Sequence, residues 1–164
     1  AGTAAGRVFV TRNALEANQN AVRWERVDGP QLPTRGVSGI AVDPRNSGTA
    51  YVSFTGFGRY TQRQPGHVFK AYHLKGGAWA WEDISGNLPD APVLAIAADP
   101  ISRDLYIATD YGVLTRSHLG GPWRHLGKGL PKGLAQVVGL TVERSPHRLY
   151  ATTQARGAWM LPLG

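Results

Sequence analysis

Short apolar stretches separated by turn residues run along the whole chain. The stretches VSGIAVDP from Val37, VLAIAADP from Val93 and VVGLTVER from Val137 are each followed by a turn and a second apolar stretch, AYVSF, LYIAT or LYATT. Apolar runs of about four to eight residues bounded by turn residues are typical of β-strands. No segment carries apolar positions at the three-and-four spacing of an amphipathic helix, so the pattern predicts an all-β fold.

These stretches belong to a unit that recurs three times with its landmarks in the same order. The tyrosines of the second stretch lie 55 and then 44 residues apart, so the first copy of the unit carries an insertion. The landmarks are Trp24, Trp81 and Trp123, the pairs Leu32-Pro33, Leu88-Pro89 and Leu130-Pro131, and Tyr51, Tyr106 and Tyr150. Four short strands in about 40 to 50 residues are typical of a β-propeller blade. We therefore expect a β-propeller of about three to four four-stranded antiparallel blades, part of a larger or shared ring, rather than a βαβ array.

The strand count divides residues 1–164, a single partial propeller, into four blade segments. The segments are residues 1–27, the end of one blade; 37–85, a blade with an insertion at 56–66; 93–126, a further blade; and 137–164, a closing blade that lacks its fourth strand. Unpaired sheet edges invite association. The expected partner is therefore the remainder of the propeller, from the same parent chain or from a second chain.

One turn motif points to a known family. The stretch RSHLGGPW, residues 116–123, resembles the Ser-x-Asp-x-Gly-x-Thr-Trp box of the bacterial neuraminidase repeat, or Asp-box, propellers, which include sialidases, sortilin, xyloglucanases and photosystem assembly factors. Leu119, Leu74 and Leu15 stand where the box has its Asp, so the boxes are degenerate. The box stabilises a turn, and its loss removes no catalytic residue. The resemblance implies a C-terminal portion of a longer propeller and favours a periplasmic or extracellular location, although the compartment stays open.

Composition narrows the range of partners. The chain has 18 Lys and Arg against 11 Asp and Glu, a formal net charge of +7, and contains no cysteine. A basic surface favours an acidic partner such as an acidic glycan, but no nucleic-acid reader motif accompanies the charge, so no specific nucleic acid is expected. No apolar run reaches the roughly 20 residues of a membrane helix. The histidines show no metal-ligand spacing, and we expect neither a metal nor a cofactor.

A candidate binding surface lies on the loops between second and third strands and between fourth and first strands, which open on the same side of a propeller. The insertion GRYTQRQPG is the largest of these loops, and enlarged loops on a rigid scaffold often carry binding function. Arginine binds carboxylates in a bidentate manner, and tyrosine stacks on sugars. The candidate residues are Arg35, Arg59, Tyr60, Arg63, Asp110, Tyr111 and Arg156.

The sequence shows no catalytic constellation. Asp43 and Asp99 belong to Asp-Pro turns, and no spacing identifies the arginine cluster of a sialidase. An inverting glycosidase needs two carboxylates about 6.5 to 9.5 Å apart, and no such pair is visible. Whether the chain is an enzyme stays open, and we expect a non-enzymatic protein-interaction, assembly or scaffold module that binds a partner protein. The alternative is a sialidase-like or xyloglucanase-like glycoside hydrolase whose carboxylates lie partly in missing blades.

Overall fold

The computed structural model describes residues 1–127 and 136–163, and nearly all of their regular structure is antiparallel β-sheet. The strands are β1 (Phe9–Val10), β2 (Glu25–Arg26), β3 (Val37–Asp43), β4 (Asn46–Phe54), β5 (Val68–His73), β6 (Trp79–Asp83), β7 (Val93–Ala98), β8 (Leu105–Thr109), β9 (Gly112–Arg116), β10 (Arg124–His125), β11 (Val137–Arg144), β12 (His147–Thr153) and β13 (Ala158–Pro162). Single 3₁₀ turns occupy Gln19–Ala21 and Gly58–Tyr60. Among these residues no helix has the length and apolarity needed to cross a membrane. The all-β prediction is confirmed.

The strands form four sheets in which each strand pairs with the next one along the chain. The sheets are β1-β2, β3-β4-β5-β6, β7-β8-β9-β10 and β11-β12-β13. The first strands β3, β7 and β11 pack against one another in series. This arrangement is that of a partial β-propeller, and the landmark tyrosines Tyr51, Tyr106 and Tyr150 lie on the second strands of the last three sheets. The landmark Leu130-Pro131 lies outside the described residues.

Neighbouring sheets approach closely at their first strands. A Cβ on Gly39 of β3 would lie 3.0 Å from the backbone nitrogen of Ile96 on β7, so the absence of a side chain at Gly39 allows the two strands to meet. Within the second sheet, Phe54 of β4 and Phe69 of β5 pack edge to face with ring centroids 5.5 Å apart. These contacts bury the apolar faces that the strand pattern creates.

Tryptophan connects the second and the third sheet, each to the sheet before it. The Nε1 of Trp81 donates to the carbonyl of Val27 at 2.8 Å, and the Nε1 of Trp123 donates to the carbonyl of Ile84 at 2.9 Å. The two bonds are equivalent, because Val27 and Ile84 each follow the last strand of the preceding sheet. Trp123 is 3% exposed, whereas Trp24, the first copy, is 53% exposed. The repeated tryptophan is therefore an inter-sheet contact.

The Asp-Pro turns form a second connection between sheets, which we call the inter-sheet latch. Asp43 accepts from Arg103 of the next sheet at 2.6 Å, and Asp99 accepts from His147 of the sheet after that at 2.9 Å. Each carboxylate also accepts backbone N–H groups of its own turn, which is the turn role expected from the sequence. Arg103 adopts φ 70°, an uncommon conformation for a residue with a side chain.

The stretches that resemble the Asp-box lie at turns between third and fourth strands. In the turn after β5, Gly76 and Gly77 have φ of 109° and 96°, values that glycine tolerates best. Leu119, in the equivalent turn after β9, is largely exposed. A leucine in the Asp position thus projects into solvent, and glycine conformations shape the turn.

Candidate functional site

A polar pocket of about 420 Å³ lies between the insertion and the segment that follows β6. One wall is the β4–β5 loop, residues 55–67, and the other is residues 83–90. We call it the loop-face pocket. Its polar lining consists of Arg59, Gln62, His67, Asp83, Ser85 and Asp90.

Arg35 holds the insertion in place. Its guanidinium donates to the carbonyls of Thr55 and Gly56 at one end of the loop and to those of Pro65 and Gly66 at the other. Arg35 is 8% exposed. Burial lowers the pKa of its guanidinium, and the negative charges of nearby carboxylates oppose the shift. The structure therefore places this predicted binding residue inside the loop, where it supports the pocket from behind.

His67 links Arg35 to a carboxylate of the pocket. Its Nδ1 lies 3.1 Å from Arg35, and its Nε2 lies 3.2 Å from Asp90. Burial lowers the pKa of His67, the positive charge of Arg35 lowers it further, and Asp90 opposes both. From the sequence His67 is a surface or strand-end residue. The structure does place it just before β5, but buries it.

Asp90 is bound on three sides. It accepts from the backbone N–H groups of Gly58 and Arg59 and lies beside His67. Burial raises the pKa of Asp90, but these hydrogen bonds outweigh it and hold the pKa below its ordinary value. With 46% of its side chain exposed, Asp90 presents an ionised carboxylate to the pocket.

Asp83 supplies the second carboxylate. It stands at the end of β6, where its Oδ1 accepts from the backbone N–H of Ser85 at 2.9 Å. Its carboxylate lies against Gly66, where a Cβ would collide with it. Its charge acts on both Arg35 and His67. Nothing in the sequence singles out Asp83, because the stretch WEDISG shows only a strand end followed by a turn.

Three other predicted residues lie around the insertion. Arg59 packs over two aromatic rings, 4.7 Å from the centroid of Phe57 and 5.0 Å from that of Tyr60, and donates to the Tyr60 hydroxyl. Tyr60 and Arg63 are exposed. Of these three residues, Arg59 lines the pocket.

The remaining predicted residues lie on the equivalent loops of the next two sheets. Asp110 accepts from the side chain of Gln136 at 2.7 Å, and the Tyr111 ring packs 6.2 Å from that of His125. Arg156 is exposed in the β12–β13 turn. The structure does not bring these residues into the loop-face pocket. Within residues 1–127 and 136–163, no three His, Cys, Asp or Glu side chains are grouped so as to hold a metal ion.

Comparisons with known proteins identify a structural relative. A gluconolactonase from Xanthomonas campestris superimposes with a TM-score of 0.61 and 21% identity, over 86% of this chain and 41% of that one. Neither family models nor curated protein sequences give a match. The matched part of this chain spans less than half the length of the gluconolactonase.

The likeness corrects the functional expectation. The sequence predicts a non-enzymatic interaction or scaffold module, and this is contradicted because the similar structure is that of an enzyme. The likeness does not support membership of the Asp-box superfamily. What it confirms is the architecture: the chain has a partial β-propeller fold.

Proposed function

We propose that this chain carries part of the substrate site of a hydrolase that acts on a sugar or sugar derivative. The observation that supports this most directly is the loop-face pocket, where two carboxylates, Asp83 and Asp90, line the same cavity as Arg59 and Gln62. The similarity to a gluconolactonase supports a hydrolase over a scaffold. The glycoside hydrolase considered from the sequence belongs to the same class.

The groups of the pocket suit hydrolysis of a hydroxylated substrate. Asp90, ionised and held from behind, accepts hydrogen bonds from substrate hydroxyls or stabilises positive charge that develops on the substrate. Asp83, in the same cavity, is the candidate general base that takes a proton from the attacking water. Arg59 offers donors to a carboxylate, a carbonyl or an oxygen that develops negative charge. An acidic sugar therefore falls within the proposed class.

The other expectations from the sequence are part of the same proposal. Tyr60 and Arg63 form the outer rim beside Arg59, and the loops of Asp110 and Arg156 contribute to the same face in the whole ring. The repeated sequence landmarks support the blade boundaries, the completion of the ring by further chain, and a relationship to the Asp-box propellers. No cofactor is part of the proposal.

Turnover of two substrate classes tests the proposal. The protein with its propeller ring complete, and its Asp83→Asn and Asp90→Asn variants, are assayed with sugar lactones, by acid release, and with chromogenic aryl glycosides. Asp104→Asn is the control, because Asp104 pairs with His118 and does not line the pocket. We expect turnover of one class, and a loss of about 100-fold or more in kcat for Asp83→Asn. Absence of turnover of both classes, or equal rates in the pocket and control variants, would contradict the proposal.

A further inference from the structure

We infer that Arg35 and His67 are positioning residues that lock Asp90 in one orientation, through a histidine held in a single neutral tautomer. The inference rests on the proposed function only for its catalytic consequence. Its structural basis is the continuous chain of contacts from Arg35 through His67 to Asp90, at 3.1 and 3.2 Å.

The donor inventory determines the tautomer. A guanidinium has only donors, so the His67 Nδ1 that faces Arg35 at 3.1 Å must be the unprotonated acceptor. In a neutral imidazole the proton then resides on Nε2, which faces Asp90. The ionised Asp90 accepts a hydrogen bond from this N–H. The contact with Arg35 and the contact with Asp90 require the same tautomer of His67. The reverse tautomer would place two donors face to face at Arg35.

Burial and the charge of Arg35 favour a neutral His67, and two carboxylates oppose them. Arg35 reaches it from the segment before β3, Asp83 from the end of β6, and Asp90 from the connection to β7. Protonation of His67 would add a proton on Nδ1 against a guanidinium in a buried site. Burial and Arg35 together outweigh the two carboxylates and lower the pKa of His67.

The consequence concerns the two oxygens of Asp90. Its Oδ1 accepts from His67 and from the N–H of Gly58, while its Oδ2 accepts from the N–H of Arg59. Because a carboxylate oxygen has two acceptor positions, Oδ1 is saturated and Oδ2 retains one. The chain of contacts therefore leaves one defined acceptor on Asp90 for a hydroxyl or water in the pocket.

Two substitutions of His67 distinguish its hydrogen bond to Asp90 from its contribution to packing. Glutamine can place an amide N–H near the position of Nε2 and donate to Asp90, whereas phenylalanine fills the space without a donor. His118→Phe is the matched control, because His118 contacts Asp104 outside the pocket. Carboxyl ¹³C NMR follows the titration of Asp90, and imidazole ¹⁵N NMR reports the tautomer of His67.

We expect ¹⁵N signals of a protonated Nε2 and a bare Nδ1 at neutral pH, and these signals should persist to lower pH than those of an exposed histidine such as His125. His67→Phe should raise the pKa of Asp90, His67→Gln should restore it towards the wild-type value, and His118→Phe should not change it. A protonated Nδ1 at neutral pH, or an Asp90 titration that is the same in His67→Phe and the wild type, would overturn the inference.

Activity then distinguishes this inference from the proposed function. In an active protein, His67→Phe should lower kcat/KM by about tenfold, the scale of one hydrogen bond to a charged group, and shift the acid limb of the pH profile upwards. His67→Gln should recover most of that loss. If the NMR results hold and no substrate is turned over, the positioning of Asp90 stands and the hydrolase proposal fails.

Discussion

Replacing Arg103 by methionine removes one inter-sheet latch while keeping most of the side-chain length. Arg103 donates to both oxygens of Asp43, at 3.2 and 2.6 Å. The Asp43 side chain is 1% exposed and that of Arg103 is 30% exposed. Removing the partner of a fully buried charge costs about 3 to 5 kcal/mol. Because Arg103 borders solvent, water can reach the Asp43 carboxylate in the variant. We therefore expect the free energy of unfolding to fall by about 2 kcal/mol.

The loss should depend on pH. Burial raises the pKa of Asp43, but hydrogen bonds from Arg103 and from the N–H of Arg45 outweigh it, so the folded-state pKa is lowered. A carboxyl with a lowered folded-state pKa contributes stability above its unfolded-state pKa and loses it as the pH falls through the folded-state pKa. The difference in the free energy of unfolding between wild type and Arg103→Met should therefore be largest at neutral pH and decrease in acid.

Urea and thermal unfolding measure the effect. At neutral pH the melting temperature should fall by about 4 to 8 °C. Arg63→Met is the control, because Arg63 is exposed on the insertion, and it should change stability by less than about 0.5 kcal/mol. Equal stability of the two variants, or a deficit of Arg103→Met that stays constant in acid, would refute the latch.

Three further predictions concern other contacts. Trp123→Phe loses a buried hydrogen bond and should lower the free energy of unfolding by about 1 to 3 kcal/mol in urea, whereas Trp24→Phe, at an exposed copy, should change it little. Gly66→Ala should displace the Asp83 carboxylate and lower both the melting temperature and any turnover. Burial raises the pKa of Asp28, but its hydrogen bonds, led by that from Arg26, lower it to about 2. Asp28→Asn should therefore remove about 2 kcal/mol at neutral pH, a deficit that disappears as the pH falls from about 4 towards 2, as followed by pH-dependent unfolding.

The structure shows why the sequence reveals only one of two functions at the Asp-Pro turns. Asp43 accepts the N–H of Arg45, two residues away, and this local role is readable from the Asp-Pro pair. Its bond to Arg103 joins residues 60 positions apart. Which cation meets the carboxylate depends on how two sheets pack, and no local pattern encodes that.

The candidate site shows the same division. The insertion is visible in the sequence as extra residues between two landmarks, and the sequence predicts Arg59 within it as a binding residue. His67, Asp83 and Ser85 each look like ordinary residues at the ends of strands. They come together because Arg35 closes the loop over the end of β6, and a short-range pattern contains no signal for such a contact.

The sequence by itself determined the strands, because apolar runs and turn residues act within a few residues of one another. It also determined the repeat and the propeller architecture, because the same landmarks recur along the chain. Tertiary structure decided which side chains share a pocket and what charge they carry there. Burial and the charge of Arg35 lower the pKa of His67, and hydrogen bonds outweigh burial to lower the pKa of Asp90. These effects exist only after distant segments have packed together.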